Sequence, residues 1–182
     1  MMDVSCDILT GDNLYALFIR YVDTTHERIR SFNSHNTQEK RDIVTHLIFY
    51  RGILPTFPSE LSDFFINLKC LDFFDCGMME ITKEDLKNFP KLEKLKLEAN
   101  KLKYLPGDLF DFTPKMAILS FLDNQIDGIG GQLLDKLEHL TEADFMGNVS
   151  INFKYSKGVN SIENLKAIIK RDCQPLKSLQ KQ

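Results

Sequence analysis

The sequence predicts an α/β-type solenoid, a coil of short repeated units whose strands stack into one parallel sheet. Two observations carry this. In "LEKLKLEANKLKYLPGDLFDFTPK", Leu92, Leu95, Leu97, Asn100, Leu102 and Leu105 step by 3, 2, 3, 2 and 3. A helix wants steps of 3 and 4 and a strand a steady 2, so the backbone changes conformation inside the stretch. The pattern then returns at a fixed offset of 24. Leu68, Leu71, Phe73, Cys76, Met78 and Ile81 precede it, and Val44, Leu47, Phe49, Gly52, Leu54 and Phe57 precede those. Met116, Leu119, Phe121, Asn124, Ile126 and Ile129 follow, then Leu140, Ala143, Phe145, Asn148, Ser150 and Phe153. Units of this period are too small to bury an apolar face alone, so stacking must supply the core.

These residues resemble the leucine-rich repeat family, whose pattern is LxxLxLxxNxLxxLPxxxFxxLxx. Asn100, Leu105, Pro106 and Phe110 stand where the family has them. The resemblance covers residues 44–153, about five repeats, and implies a horseshoe with a parallel concave β-sheet. It also implies that Asn100, Asn124 and Asn148 hydrogen-bond the turn after each strand, with Cys76 as a substitute. Gly52 has no side chain, so its turn must be held another way. Asn148 opens the glycosylation sequence "NVS", but membership of the inward row argues against a glycan there.

The elements follow in order. Residues 1–43 form an N-terminal cap, with "LYALFIRYV" and "ERIRSF" flanking "DTTH" as a β-hairpin. Strand centres fall at Leu47, Leu71, Leu95, Leu119 and Ala143. Residues 154–182 form a C-terminal helical cap and tail. There Asn160 and Glu163 have capping-box spacing, and Ile162, Leu165, Ile168 and Ile169 line one helix face before Pro175. Residues 176–182 read as a tail.

The chain has 182 residues, 43% hydrophobic and 27% charged, with 14 Phe and no Trp. That is an ordinary globular balance, with Phe filling much of the core. A net charge of −3 argues against phosphate neutralisation and hence against nucleic acid as partner. No apolar run reaches the roughly 18 residues of a membrane span. The N-terminus has neither a basic n-region nor a sustained apolar h-region. Of the cysteines, Cys76 points inward and Cys70 faces outward from its strand. Cys6 and Cys173 sit in opposite caps, roughly 20–25 Å apart by strand spacing, too far for an intramolecular bond. These features favour the cytoplasm over a secreted mature form carrying an added Met.

"ITKEDLKNFPKL" and "LPGDLF" are similar to stretches of secreted arthropod leucine-rich repeat proteins, which usually carry a cysteine pair in each cap. "NLYALF" and "GNVSINF" lack the second cysteine. That departure favours a reduced setting or an intermolecular bond. The resemblance implies a role in recognition or immunity.

Catalytic chemistry finds little footing, and no cofactor or metal is expected. The four His share no ligand spacing, and "DGIGG" sits in a return loop where Gly serves the turn. His46 and Cys70 fall side by side, but no orienting third group accompanies them. Asp72 and Asp144 are roughly 14 Å apart by strand spacing, too far for paired-carboxylate catalysis. With Lys96 they read as a self-satisfying charge ladder.

The remaining surface is the sheet face not used by the core. Its seventh-position row reads Tyr50, Phe74, Glu98, Leu122, Met146. Its fifth reads Ile48, Asp72, Lys96, Ser120, Asp144, and its third His46, Cys70, Lys94, Ile118, Glu142. A row of large apolar side chains rimmed by charge marks a binding site. The expectation is a non-enzymatic module that binds another protein through Ile48, Tyr50, Phe74, Lys96, Glu98, Ile118, Leu122 and Met146. Lys96 and Glu98 would set specificity at its centre. The alternative is a self-associating assembly protein, a homodimer linked through Cys6, Cys70 or Cys173.

Overall fold

The computed structural model describes residues 2–11, 14–26, 29–33 and 41–173. At the N-terminal end lie β1 (Met2–Gly11), β2 (Leu14–Arg20) and β3 (Ile29–Asn33). The repeats contribute β4 (His46–Tyr50), β5 (Cys70–Phe74), β6 (Lys94–Lys96), β8 (Ile118–Ser120) and β10 (Glu142–Asp144). Two short strands, β7 (Tyr104–Leu105) and β9 (Gly128–Ile129), lie on the return side. One-turn helices α1 (Leu61–Phe64) and α2 (Lys83–Leu86) lie on the return segments of the first turns. The chain closes with β11 (Lys154–Ser156) and α3 (Ile162–Asp172).

Nine strands make one sheet in the order β11-β10-β8-β6-β5-β4-β2-β1-β3. From β2 to β10 neighbours are parallel and in register, with Leu47, Leu71, Leu95, Leu119 and Ala143 opposite one another. All five are fully buried, at the expected strand centres. Five repeat strands joined by four return segments make a solenoid of about four turns.

Each strand ends in a residue forced into the left-handed region. Tyr21, Arg51, Asp75, Ala99 and Asp123 have φ between 52° and 56°, and Gly147 has φ 69°. The next residue in the later turns is the repeat asparagine, which fixes this unfavourable bend. Asn124 donates to Leu97 O (2.7 Å) and accepts from Leu102 N (3.1 Å). Asn100 and Asn148 make the equivalent bonds to Phe73 O and Met78 N, and to Phe121 O and Ile126 N. Asn148 Nδ2 lies against Phe121 O and Phe145 O, contacts that a glycan there would disrupt. Cys76 donates its thiol to Phe49 O at 3.7 Å, as the substitute role requires. It has no side-chain acceptor, so Leu54 N bonds to the Cys76 carbonyl instead (2.7 Å). At Gly52 the chain approaches Val22 O so closely that a Cβ would overlap it. The first turn is held chiefly by backbone bonds, with the Cys76 thiol on Phe49 O and the Thr24 hydroxyl on Ile53 O beside them.

On the return side the glycine of "DGIGG" serves close approach rather than a turn. A Cβ on Gly130 would overlap Gly107 N of the preceding coil, and Gly130 N donates to Leu105 O at 2.8 Å beside the β7–β9 pair. Ion pairs one coil apart, Lys69–Glu93, Lys83–Asp108 and Lys136–Asp111, line the exterior.

Both caps differ from the sequence expectation in detail. The N-terminal hairpin exists, but it joins β1 to β2 rather than β2 to the "ERIRSF" strand, which pairs parallel with β1. The reason lies in β2. Leu14, Leu17, Ile19 and Val22 repeat Val44, Leu47, Phe49 and Gly52 at an offset of 30. That makes β2 a further repeat strand, parallel to β4 with Leu17 opposite Leu47, so its chain leaves through a solenoid turn.

At the other end β11 runs antiparallel to β10, an unexpected strand that closes the sheet edge. Asn160 tightens the turn after it, donating to Lys154 O and accepting from Ser156 N. The helix cap is therefore Ser161, whose hydroxyl accepts from Glu163 N. Leu165 and Ile169 of α3 are buried, with Ile162 and Ile168 packed partly against the core. Residues 176–182 lie outside the described residues.

Candidate functional site

The register places the three rows as the repeat demands, with His46, Cys70, Lys94, Ile118 and Glu142 in one line. Ile48, Asp72, Lys96, Ser120 and Asp144 form the next. All eight anticipated residues share this face and none is buried. Ile48, Tyr50, Phe74, Lys96, Glu98, Ile118 and Leu122 are half-buried, and Met146 is 43% exposed.

They are not equally joined. Tyr50 and Phe74 stack with ring centroids 5.2 Å apart and planes 8° from parallel. Leu122 lies three strands from Tyr50 and Met146 four, roughly 14 and 19 Å away. The aromatic stack instead runs the other way, to Phe18 of β2 at 5.9 Å from Tyr50. Phe18 was missed because β2 was read as a cap; the offset of 30 was the signal that could have found it. Arg20 sits over the Phe18 ring at 5.1 Å and Arg51 over Tyr50 at 5.2 Å, both at cation–π distance. One half of the face is thus aromatic and arginine-flanked.

The other half is ionic. Lys154 of β11 reaches Glu142 at 2.6 Å and Asp144 at 3.3 Å, and Asp144 also accepts from Met146 N. The expected ladder through Lys96 does not form. Ser120 intervenes between Lys96 and Asp144, and a cation from β11 is closer. Asp72 is left without a hydrogen bond or ion pair among the described residues. Burial pushes its carboxyl up to about 6, Lys96 opposing this and Glu98 adding to it.

Cys70 stands on the outward row as expected, but its neighbours cover it. It is 7% exposed, because the larger His46 and Lys94 side chains flank it in register. Burial lifts its thiol to about 11, so it is protonated beside His46, whose ring burial holds below its ordinary value. The pair offers no thiolate nucleophile at neutral pH. Cys173 is also buried, its thiol near Ser150 O, so neither thiol is available to link protomers. The Cys6 side chain lies outside the described residues, but seven strand steps from β1 to β11 put the caps about 34 Å apart. Among the described residues no cluster of three His, Cys, Asp or Glu gathers as a metal site would. No described helix is long and apolar enough to cross a membrane.

No family profile and no curated protein sequence matches the chain. Solved structures do resemble it. The LRIM1/APL1C complex contains a chain with 16% identity and a TM-score of 0.58, covering 80% of this chain and 31% of that one. A chain of the TLR13–ssRNA13 complex gives 22% identity and a TM-score of 0.56, over 71% of this chain and 18% of that one. The Toll–Spatzle complex from Drosophila gives 19% identity and a TM-score of 0.49, over 67% and 16%. This chain therefore spans less than a third of the length of each. The shared coil, the asparagine ladder and the parallel sheet establish a leucine-rich repeat fold.

Proposed function

We propose that the protein is a non-enzymatic recognition module that binds another protein through its concave sheet face. One observation carries the reading. Tyr50 and Phe74 lie half-buried and stacked on that face, with Leu122 and the 43%-exposed Met146 continuing the same row. Large apolar side chains on an open face, rimmed by Lys96 and Glu98, are the composition of an interface core. The LRIM1/APL1C complex supports a protein as partner for this fold. RNA, present in the TLR13–ssRNA13 complex, fits less well, since a net charge of −3 supplies little counterion release. The resemblance to arthropod leucine-rich repeat proteins extends this reading to a role in recognition or immunity.

The test is a paired pull-down from extract of the source organism, comparing wild type with a Phe74→Asp/Leu122→Asp double variant. Circular dichroism verifies that the variant is folded. A protein retained by wild type and lost by the folded variant supports the reading. Equal retention by both sinks it.

A further inference from the structure

Resting on that reading, we infer that the face recognises a guanidinium-bearing partner, an arginine side chain that lies on Phe74 and binds the carboxylate of Asp72.

The argument begins with an incomplete pattern. Three rings meet across β2, β4 and β5: Phe74 stacks on Tyr50 in register, and Phe18, opposite Ile48, reaches Tyr50 diagonally. The first is covered by Arg20 and the second by Arg51. No cation of the chain lies over the third among the described residues. Each ring presents the same negative π face, and a guanidinium is the side chain that stacks flat upon one.

Beside this uncovered ring stands an unanswered carboxylate. Asp72 is two residues before Phe74 on the same strand, so both project from the same face. Among the described residues it has no ion pair or hydrogen bond, although Asp75 and Asp144 do. Asp75 meets Arg51 at 3.7 Å, and Asp144 meets Lys154. Burial without a partner favours the neutral acid and costs stability at neutral pH. Such a group, held on an exposed face at a cost, is arranged for something that arrives later.

The charges around it are mixed. From β4 come His46 and Tyr50, with Ile48 directly opposite; on β5 itself lies Cys70. From β6 come Lys94 and Lys96, with Glu98 beyond them. Lys96 stands directly opposite Asp72 in register and favours its ionised form, yet the two make no ion pair of 4.0 Å or less. Glu98 occupies the row position next to Phe74, on the side away from Tyr50, and adds negative charge there. An arginine fits this setting better than a lysine. Its plane matches the ring, and its fork can donate two parallel hydrogen bonds to one carboxylate.

The test uses N-acetyl-arginine amide as the probe, titrated into full-length protein and followed by NMR shifts, with N-acetyl-citrulline amide as the uncharged control. The expected result is saturable shifts at Asp72, Phe74 and Tyr50, absent with citrulline. Asp72→Asn, checked for fold by circular dichroism, should weaken binding at least tenfold. Phe74→Leu should weaken it severalfold, and affinity should fall as pH drops through about 6 and Asp72 takes up its proton. No shift at the face, equal binding of citrulline, or unchanged affinity in Asp72→Asn overturns the inference. The pull-down separates this from the broader reading. A partner lost by the Phe74→Asp/Leu122→Asp variant but kept by Asp72→Asn leaves the face standing and removes the arginine.

Discussion

The two halves of this solenoid solve one problem with different chemistry. At the turn position after each strand the C-terminal half carries Asn100, Asn124 and Asn148, and the N-terminal half carries Val22, Gly52 and Cys76. The amides satisfy backbone groups of two coils at once, so each later turn is pinned by directed hydrogen bonds. In the earlier turns backbone bonds such as Ile53 N to Val22 O (2.6 Å) take over part of that work. Ring stacking adds to this, and is tighter here than between Phe121 and Phe145 of the later turns, 5.4 Å apart. Phe49 and Phe73 lie 4.7 Å apart and nearly parallel, with Phe57 against Phe73 at 5.6 Å. The sheet face divides the same way, aromatic toward β2 and ion-paired toward β11. A repeat can therefore keep its coil while exchanging the interaction that closes it, and the half with fewer fixed amides is the one bearing the aromatic part of the candidate surface.

The largest effect expected is in the aromatic half. Phe73→Ala removes a fully buried ring from two partners and should cost about 4 kcal/mol in denaturant unfolding. A loss below about 1 kcal/mol would mean that stacking does not hold the early turns. In the amide half, Asn124→Ala leaves Leu102 N and Leu97 O without partners in the core and should cost about 3 kcal/mol. Asn148→Ala, half-exposed, should cost about 1 kcal/mol, since water can replace its bonds. Equal losses would show that burial does not set the ladder's strength.

Each half also contains a polar group without a partner, and these sharpen the contrast. Asp72 has a folded pKa of about 6 against an ordinary 3.8. The folded state thus holds its proton more tightly, and wild-type stability declines as pH rises from about 4 through 6. Asp72→Asn should stabilise the protein at pH 7 by about 2 kcal/mol, with the gain gone below pH 3.8. A pH-independent gain would assign the effect to packing instead. The smallest effect belongs to Thr113, fully buried with an unpartnered hydroxyl. Thr113→Val should raise stability by about 1 kcal/mol at any pH and leave binding at the sheet face untouched.

Much of this architecture is legible in the sequence. The alternating steps of 3 and 2 specify where strand gives way to turn, and the offset of 24 specifies which residues stand side by side. Register and the buried rows follow, because a side chain's face depends on its place in the period, and the asparagine ladder follows from the resemblance to leucine-rich repeats. What breaks the period was misread. β2 repeats at 30 and was assigned to a hairpin with the wrong partner, which hid Phe18 from the site. β11 has no repeat to announce it, and its Lys154 took the acid that Lys96 was expected to satisfy.

The sequence by itself determined the coil, the core and the membership of the exposed rows, since these rest on local periodicity. Only the tertiary structure decided the energetics of that face. Cys70 is covered by its neighbours, Phe18 extends the aromatic stack to three rings, and Asp72 is half-buried without an ion pair among the described residues. Each of these outcomes depends on distances between strands far apart in the chain, where a few ångströms separate a paired carboxylate from an unpaired one.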